Sequence, residues 1–326
     1  MEFLSEPTLL VALVEVALGI YLLTRAADEF VEGAVNVAGA LRVSPVVIGA
    51  VVVGFGTSAP ELLVSGIAAS NGDLDLGVGN VVGSNVANLT LVLGAAALIV
   101  PIAVSAKVLR REAPLSLVSV LLFAVFTIGG LARWQGILLL VALAGVLTWV
   151  IVGGRNDATV DLEIDSDASA EREVLRTLVG LVGTVLGAQL LVWGAMAIAE
   201  ELGISGGLVG FTLVAVGTSL PELVTAVVAA RKGETELILG NLLGSNMFNS
   251  LAVGGVIAVI ANGPIEDRGF AIYGVIGMSL VALSAWVFMV TKKQINRFEA
   301  VFLLAAWLVS VVILAGESTA VESALL

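Results

Sequence analysis

The 326-residue sequence contains no cysteine and no histidine. Without cysteine there is no disulfide and no thiolate metal site. Without histidine the usual ligand for zinc and copper is missing too, so any ion held here must be a hard, oxygen-liking one such as sodium, calcium, magnesium or manganese. The same two absences remove His-based and Cys-based nucleophilic catalysis. No other nucleophile–base pair stands out, which argues against an enzyme. Charge is also scarce: 13% of residues are charged, against about 25% in soluble domains. Hydrophobic residues make up 59% and the mean hydropathy is +1.09. This is the composition of a polytopic membrane protein. The opening MEFLSEPTLL holds two acids and no basic region, so it does not read as a cleaved signal peptide, and the first apolar run is expected to be a mature span.

Lysine and arginine total 15 against 27 acids, a net charge of −12. Much of the excess lies in RNDATVDLEIDSDASAEREVLR at 155–176, read as a solvated loop. Its DLEIDSD lacks the glycine and closing glutamate of a calcium-binding EF-hand. Such acidity offers nothing to nucleic acid, and it fits a host that lives in high salt.

A membrane span needs about 20 mostly apolar residues. Ten runs qualify, at 8–38, 44–70, 76–100, 114–131, 134–153, 174–200, 205–230, 236–262, 269–291 and 297–315. The first carries Arg25, Asp28, Glu29 and Glu32 near its end and is expected to tilt or reach past the bilayer. With the N-terminus outside, the inside loops hold Arg42, Lys107, Arg110, Arg111, Arg155, Arg172, Arg176, Arg231, Lys232, Lys292, Lys293 and Arg297, and the outside loops only Arg133 and Arg268. The positive-inside rule therefore places both termini outside.

Residues 44–94 lie over 205–255 at a constant offset of 161, with 21 of 51 positions identical and no gap. Five spans separate the copies, so the second enters the membrane from the opposite side. The expected fold is an all-α membrane protein of ten transmembrane helices in two inverted five-helix repeats, a plan common in secondary transporters. The first repeat would occupy 1–153, an acidic cytoplasmic loop 154–173, and the second repeat 174–326. GIYLL at 19–23 against GAQLL at 187–191 weakly relates the first and sixth spans.

The repeated stretch is GFGTSAPELLVSG at 54–66 and AVGTSLPELVT at 215–225. Proline lacks an N–H and clashes with the carbonyl four residues back, so Pro60 and Pro221 predict breaks that free the carbonyls of Gly56 and Gly217. Freed carbonyls in a membrane must be satisfied or line a polar cavity. Glu61 lies ten residues from Asn71, roughly 15 Å along a helix, near the middle of a core ~30 Å thick. An intramembrane carboxylate marks a functional site unless shown otherwise. The competing reading is a capping box, in which Ser58 and Glu61 satisfy backbone N–H groups of the second half-helix. A second element is GNVVGSNVANLTLVLG at 79–94 and GNLLGSNMFNSLAVGG at 240–255. Ser84 with Asn88, and Ser245 with Asn249, stand four apart and share a helix face. The small glycines permit close helix packing. Asn80, Asn85, Asn241 and Asn246 fall on other faces and read as structural. Two carboxylates, the hydroxyls of Ser58, Ser84, Ser219 and Ser245, two amides and freed carbonyls could supply the six to eight oxygens calcium takes.

At these residues the sequence resembles the prokaryotic type of the sodium/calcium exchanger family, within the cation/calcium antiporter superfamily. The likeness rests on GTSAPE with GSNVAN and GTSLPE with GSNMFN. It implies a multi-pass protein of the cell membrane whose cargo is Na+ and Ca2+, with no cofactor. Glu61 and Glu222 would be the central ligands, and Thr57 and Thr218 would contribute mainly backbone carbonyls. Ser58, Ser84, Ser219 and Ser245 would flank the centre as sodium ligands, and Asn88 and Asn249 would complete the cluster. Spans 1 and 6 would slide across a fixed core. Potassium-dependent relatives carry aspartate where Asn249 stands, which argues against potassium co-transport. The alternative on the same fold is a proton-coupled or other divalent-cation antiporter. A passive channel is disfavoured by the inverted repeat. The expected partners are the two ions and the lipid bilayer; the sequence leaves protein partners and oligomeric state open, a monomer being one option.

Overall fold

A computed structural model of the chain describes residues 9–41, 43–155, 170–201, 217–265 and 273–325. Helix α1 spans Leu9–Ala40. A broken span comes next: α2, Pro45–Thr57, and α3, Ala59–Ser70, are bent by 44° at the single residue between them. Then come α4, Leu74–Ile99, the short α5, Ala106–Arg110, α6, Glu112–Thr127, and α7, Arg133–Arg155. The second half holds α8, Ala170–Glu201, α9, Leu220–Lys232, α10, Thr235–Ile260, α11, Val275–Lys292, and α12, Arg297–Leu325.

Among the described residues, six helices are long and apolar enough to cross a membrane, and the bent pair makes a seventh. Hydropathy marked ten runs. The run at 114–131 becomes α6, only 16 residues long. The run at 205–230 begins outside the described residues and enters them at Gly217. The run at 297–315 lies within α12. Most of the acidic stretch 154–173 is likewise outside the described residues.

Helices α4 and α10 form the centre: 72% and 83% of their spanning windows are buried, against 22% for α1 and for α8. Their sequences explain this. Each mixes glycine, asparagine and serine with aliphatics all round, with no lipid-facing stripe. Both contain a π-turn, at Asn88–Val92 and Asn249–Val253, as does α2 at Gly49–Val53. Single π-turns gather at functional sites.

Glycine lets the core helices touch backbone to backbone. A Cβ on Gly49 would lie 2.7 Å from the Leu237 carbonyl oxygen, one on Gly54 2.8 Å from Ser245 N, and one on Gly244 2.5 Å from Ala50 Cα. Helices α2 and α10 thus cross at a distance only small residues allow. The pair α1–α8 does the same along its whole length, running antiparallel. A Cβ on Gly194 would lie 2.6 Å from the Ala12 oxygen, one on Gly187 2.6 Å from Leu23 N, and one on Gly180 2.5 Å from Phe30 N. The pair is bound tightly to itself and mostly exposed elsewhere.

The repeats also end their half-helices alike. Gly72 and Gly233, 161 apart, adopt φ +83° and +78° just after α3 and α9, the left-handed turn that glycine reaches without a Cβ penalty. A two-residue antiparallel pair, β1 at Ile102–Ala103 and β2 at Gln294–Ile295, ties the chain after α4 to the chain before α12. A bridge between Leu131 and Gly263 makes a second tie.

Candidate ion-binding site

The broken spans start the site. Ser58 has φ −86° and ψ 9°, and Ser219 has φ −88° and ψ 4°, so both copies break with the same geometry. Pro60 and Pro221 stand in the first turn of α3 and α9, where no N–H is needed. The prolines therefore begin a second helix more than they interrupt a first. Each also sets a glutamate, Glu61 or Glu222, in that first turn at a fixed place.

All ten residues expected at the site are buried, with Glu61 and Glu222 fully so. The capping-box reading fails: neither Ser58 nor Ser219 caps its own helix with its side chain. Ser58 Oγ instead donates across the molecule to Glu222 Oε1 at 2.9 Å. A true capping box does occur in this chain, between Asn296 and Glu299 at the start of α12, where Asn296 N–H donates to Glu299 Oε2 at 2.9 Å and Glu299 N–H to Asn296 Oδ1 at 3.0 Å. Ser84 Oγ stands 3.5 Å from Glu61 Oε1, and Ser245 Oγ stands 3.5 Å from Glu222 Oε1. Ser245 also donates to the carbonyl of Gly54 at 3.1 Å. Two backbone carbonyls at the first break are thus engaged by side chains, Gly54 by Ser245 and Val53 by Thr57 Oγ1 at 3.0 Å, and the Gly56 carbonyl expected to be freed by the proline instead accepts a backbone N–H at the break. Thr57 therefore engages its side chain at the break, beyond the carbonyl role expected of it.

Three of the four asparagines expected to be structural lie against site residues. Asn80 Nδ2 donates to the backbone carbonyl of Glu61 at 3.3 Å and to Ser65 Oγ at 2.9 Å. Asn241 Oδ1 accepts from Thr57 Oγ1 at 3.3 Å, and Asn246 Oδ1 from Asn88 Nδ2 at 3.1 Å. Asn85 turns away to Ser250 Oγ at 3.0 Å and the Met278 sulfur at 3.4 Å. That turn breaks the pseudo-symmetry. Asn88 finds Asn246, whereas Asn249, whose symmetry-matched partner Asn85 is already engaged, keeps both side-chain polar atoms without a partner among the described residues.

Several oxygens are left over. Among the described residues, Glu61 Oε2, Glu222 Oε2, Ser219 Oγ, Asn88 Oδ1 and Asn249 Oδ1 are buried without a hydrogen bond. Each such group costs about 1–3 kcal/mol, more when charged, so the set calls for positive charge, water or protons. Among the described residues no three His, Cys, Asp or Glu side chains gather to hold a metal. The site therefore offers two carboxylates among neutral oxygens, a donor set suited to hard cations. A cavity of about 300 Å³ adjoins both breaks, lined by Pro60, Leu63, Gln189, Trp193, Thr218 and Pro221, and it opens between α3 and α8.

Comparisons with known proteins agree with this chemistry. The sequence model described as sodium/calcium exchanger protein matches residues 11–152 and 173–316. The putative antiporter CaxA of Alkalimonas amylolytica is 39% identical over 310 residues, 92% of this chain and 97% of that protein. The sodium/calcium exchanger MaX1 of Methanosarcina acetivorans is 32% identical over 340 residues, 91% of this chain and 96% of that one. A solved structure of the sodium-calcium exchanger NCX_Mj, soaked with 2.5 mM Na+ and 0.1 mM Ca2+, is similar at a TM-score of 0.84 and 31% identity, over 94% of this chain and 99% of that one.

Proposed function

We propose that this chain, which belongs to the sodium/calcium exchanger protein family and is a multi-pass membrane transporter, exchanges sodium for calcium by alternating access. Both ions would compete for one site. The observation that carries the reading is the pair of buried carboxylates, each keeping one oxygen without a protein partner among the described residues. Glu61 and Glu222 are the central ligands. Ser58, Ser84, Ser219 and Ser245 flank them, Thr57 and Thr218 close the breaks, and Asn88 and Asn249 complete the oxygen set. NCX_Mj is a sodium-calcium exchanger, and the same pair of ions is assigned to this chain.

The charge explains the coupling. Two carboxylates carry −2, which one calcium or two sodium ions cancel. Carrying that charge uncompensated past apolar surfaces costs several kcal/mol per ion. The site therefore crosses loaded, and loading with one ion requires unloading the other. Asn249 contributes oxygen without a third charge, which speaks for sodium without potassium. The topology that fits is ten spans in two inverted five-helix repeats, with both termini outside, the acidic loop inside, and α1 with α8 sliding over the rest.

The test is radiolabelled calcium uptake into sodium-loaded proteoliposomes diluted into sodium-free buffer, beside potassium-loaded and pH-gradient controls. Uptake that needs only the outward sodium gradient is expected. Uptake driven by the pH gradient without sodium would move the function to proton coupling.

A further inference from the structure

Outside the ion site, the described residues gather a charged cluster at one end of the core. Near the end of α1, three acids meet two cations. Arg176 of α8 pairs with Glu29 at 2.6 Å and with Glu32 Oε1 at 2.9 Å. Those contacts lie inside the α1–α8 pair. Lys232 does not belong to that pair: it ends α9, the helix that carries Glu222. Its ammonium lies 3.4 Å from Asp28 and 3.3 Å from Glu32 Oε2. Glu32 is thus shared, one oxygen held within the pair and the other held by the core.

The repeat exposes how one-sided this is. The offset of 161 puts Asn71 where Lys232 stands and Ser70 where Arg231 stands. Both positions precede the left-handed glycines Gly72 and Gly233, so the local backbone matches and the charge differs. From the break toward Asn71, α3 is separated from α8 by the cavity of about 300 Å³. From the other break toward Lys232, α9 is tied to α1.

We propose that Lys232, Asp28 and Glu32 form an electrostatic latch that holds the Lys232 side closed, so that the chain rests with the Asn71 side accessible. The latch rests on the alternating-access reading above. A partly exposed ion pair shifts a two-state equilibrium by roughly two- to fivefold. Lys232 makes two such contacts, and the uncharged Asn71 can make no ion pair in its place. The latch has a signature that an apolar seal lacks. The Debye length falls to about 3 Å in 1 M salt, comparable to the contacts themselves, so salt weakens the latch. Apolar packing is not weakened in that way.

The cysteine-free chain accepts a single reporter thiol. Ala229 is buried on α9, one turn from Lys232 toward Glu222. In proteoliposomes, labelling of Ala229→Cys by an impermeant thiol reagent from the Lys232 side is expected to quicken roughly three- to tenfold when Lys232→Gln is added. It should quicken similarly for Ala229→Cys alone in about 1 M potassium chloride, and Lys232→Arg should restore slow labelling. Lys232 is about a third exposed, so these variants should fold. Equal labelling with and without Lys232→Gln, at every salt concentration, overturns the latch. Calcium uptake in the same vesicles tests the exchanger reading separately: absence of sodium-driven uptake overturns that reading, while the labelling comparison still decides the latch.

Discussion

Replacing Gly244 by alanine adds one methyl group, and the packing around it fixes where that methyl must go. The new Cβ would lie 2.5 Å from Ala50 Cα on the facing helix. Ordinary van der Waals contact begins near 3.4 Å, so α2 and α10 must part by about 1 Å, and backbone on both sides leaves no flexible side chain to yield. Overpacking of this kind costs about 1–3 kcal/mol. The larger effect is on the site. Helix α2 leads into Ser58, whose 2.9 Å bond to Glu222 crosses the molecule, and Ser245 beside Gly244 holds the Gly54 carbonyl at 3.1 Å. A shift of about 1 Å puts both near or beyond hydrogen-bond range, and misplacement on that scale can cost about a hundredfold in rate. Sodium-driven calcium uptake by Gly244→Ala is therefore expected to fall at least tenfold, with a lower melting temperature in detergent. Gly66→Ala is the control: its Cβ would meet nothing within 4 Å and its φ is ordinary, so it should keep wild-type uptake. If Gly244→Ala transports within twofold of wild type at matched protein level, close packing of α2 on α10 does not set the site geometry.

Glu61→Gln and Glu222→Gln should each abolish uptake, because each removes half of the site charge. Each should also remove thermal stabilisation by calcium, which for wild type at a hundred times its Kd is about 2.7 kcal/mol and is read as a rise in melting temperature. Ser58→Ala removes a hydrogen bond to a buried carboxylate, worth about 1.5–3 kcal/mol. It should alter apparent calcium affinity roughly ten- to hundredfold, and an unchanged concentration dependence of uptake would show that the bond is incidental. Asn249→Asp should add pH or cation dependence to transport without unfolding the protein. Identical ion selectivity and pH profile in that variant would mean position 249 does not face the ions.

Much of the site was legible because the two copies constrain one another. A lone Ser-x-x-Glu beside a proline is ambiguous between a cap and a ligand. Two such stretches at one offset pointed to a shared site, and the bond from Ser58 to Glu222 joins the two copies directly. Side-chain partnership across the midplane was not legible. Asn241 stands four residues before Ser245, as Asn80 does before Ser84, so the spacing that pairs Ser245 with Asn249 already put both on the site's face. Asn246 does fall on another face, and it is engaged at the centre by Asn88 from the facing helix. The π-turns at Asn88 and Asn249 also rotate the facing of the residues after them, and they leave no trace in composition. The β1–β2 pair reads as loop from sequence, since two residues per strand carry no periodicity. Span counting from hydropathy likewise could not tell that α6 would be only 16 residues long.

The bond between Ser58 and Glu222 joins residues 164 apart, and that separation has a meaning for biosynthesis. At a synthesis rate of about 5–20 residues per second, the ribosome takes roughly 8–30 s to travel from one to the other. During that interval Glu61 and Ser58 are already made, and the residues that will surround them from α10 do not yet exist. The nascent first half must keep a carboxylate and a broken helix wet, or shielded by the insertion machinery, until the second half arrives. The finished site thus sets an order of events on the protein's assembly, and a truncated first half would be expected to be degraded before it could settle in the bilayer.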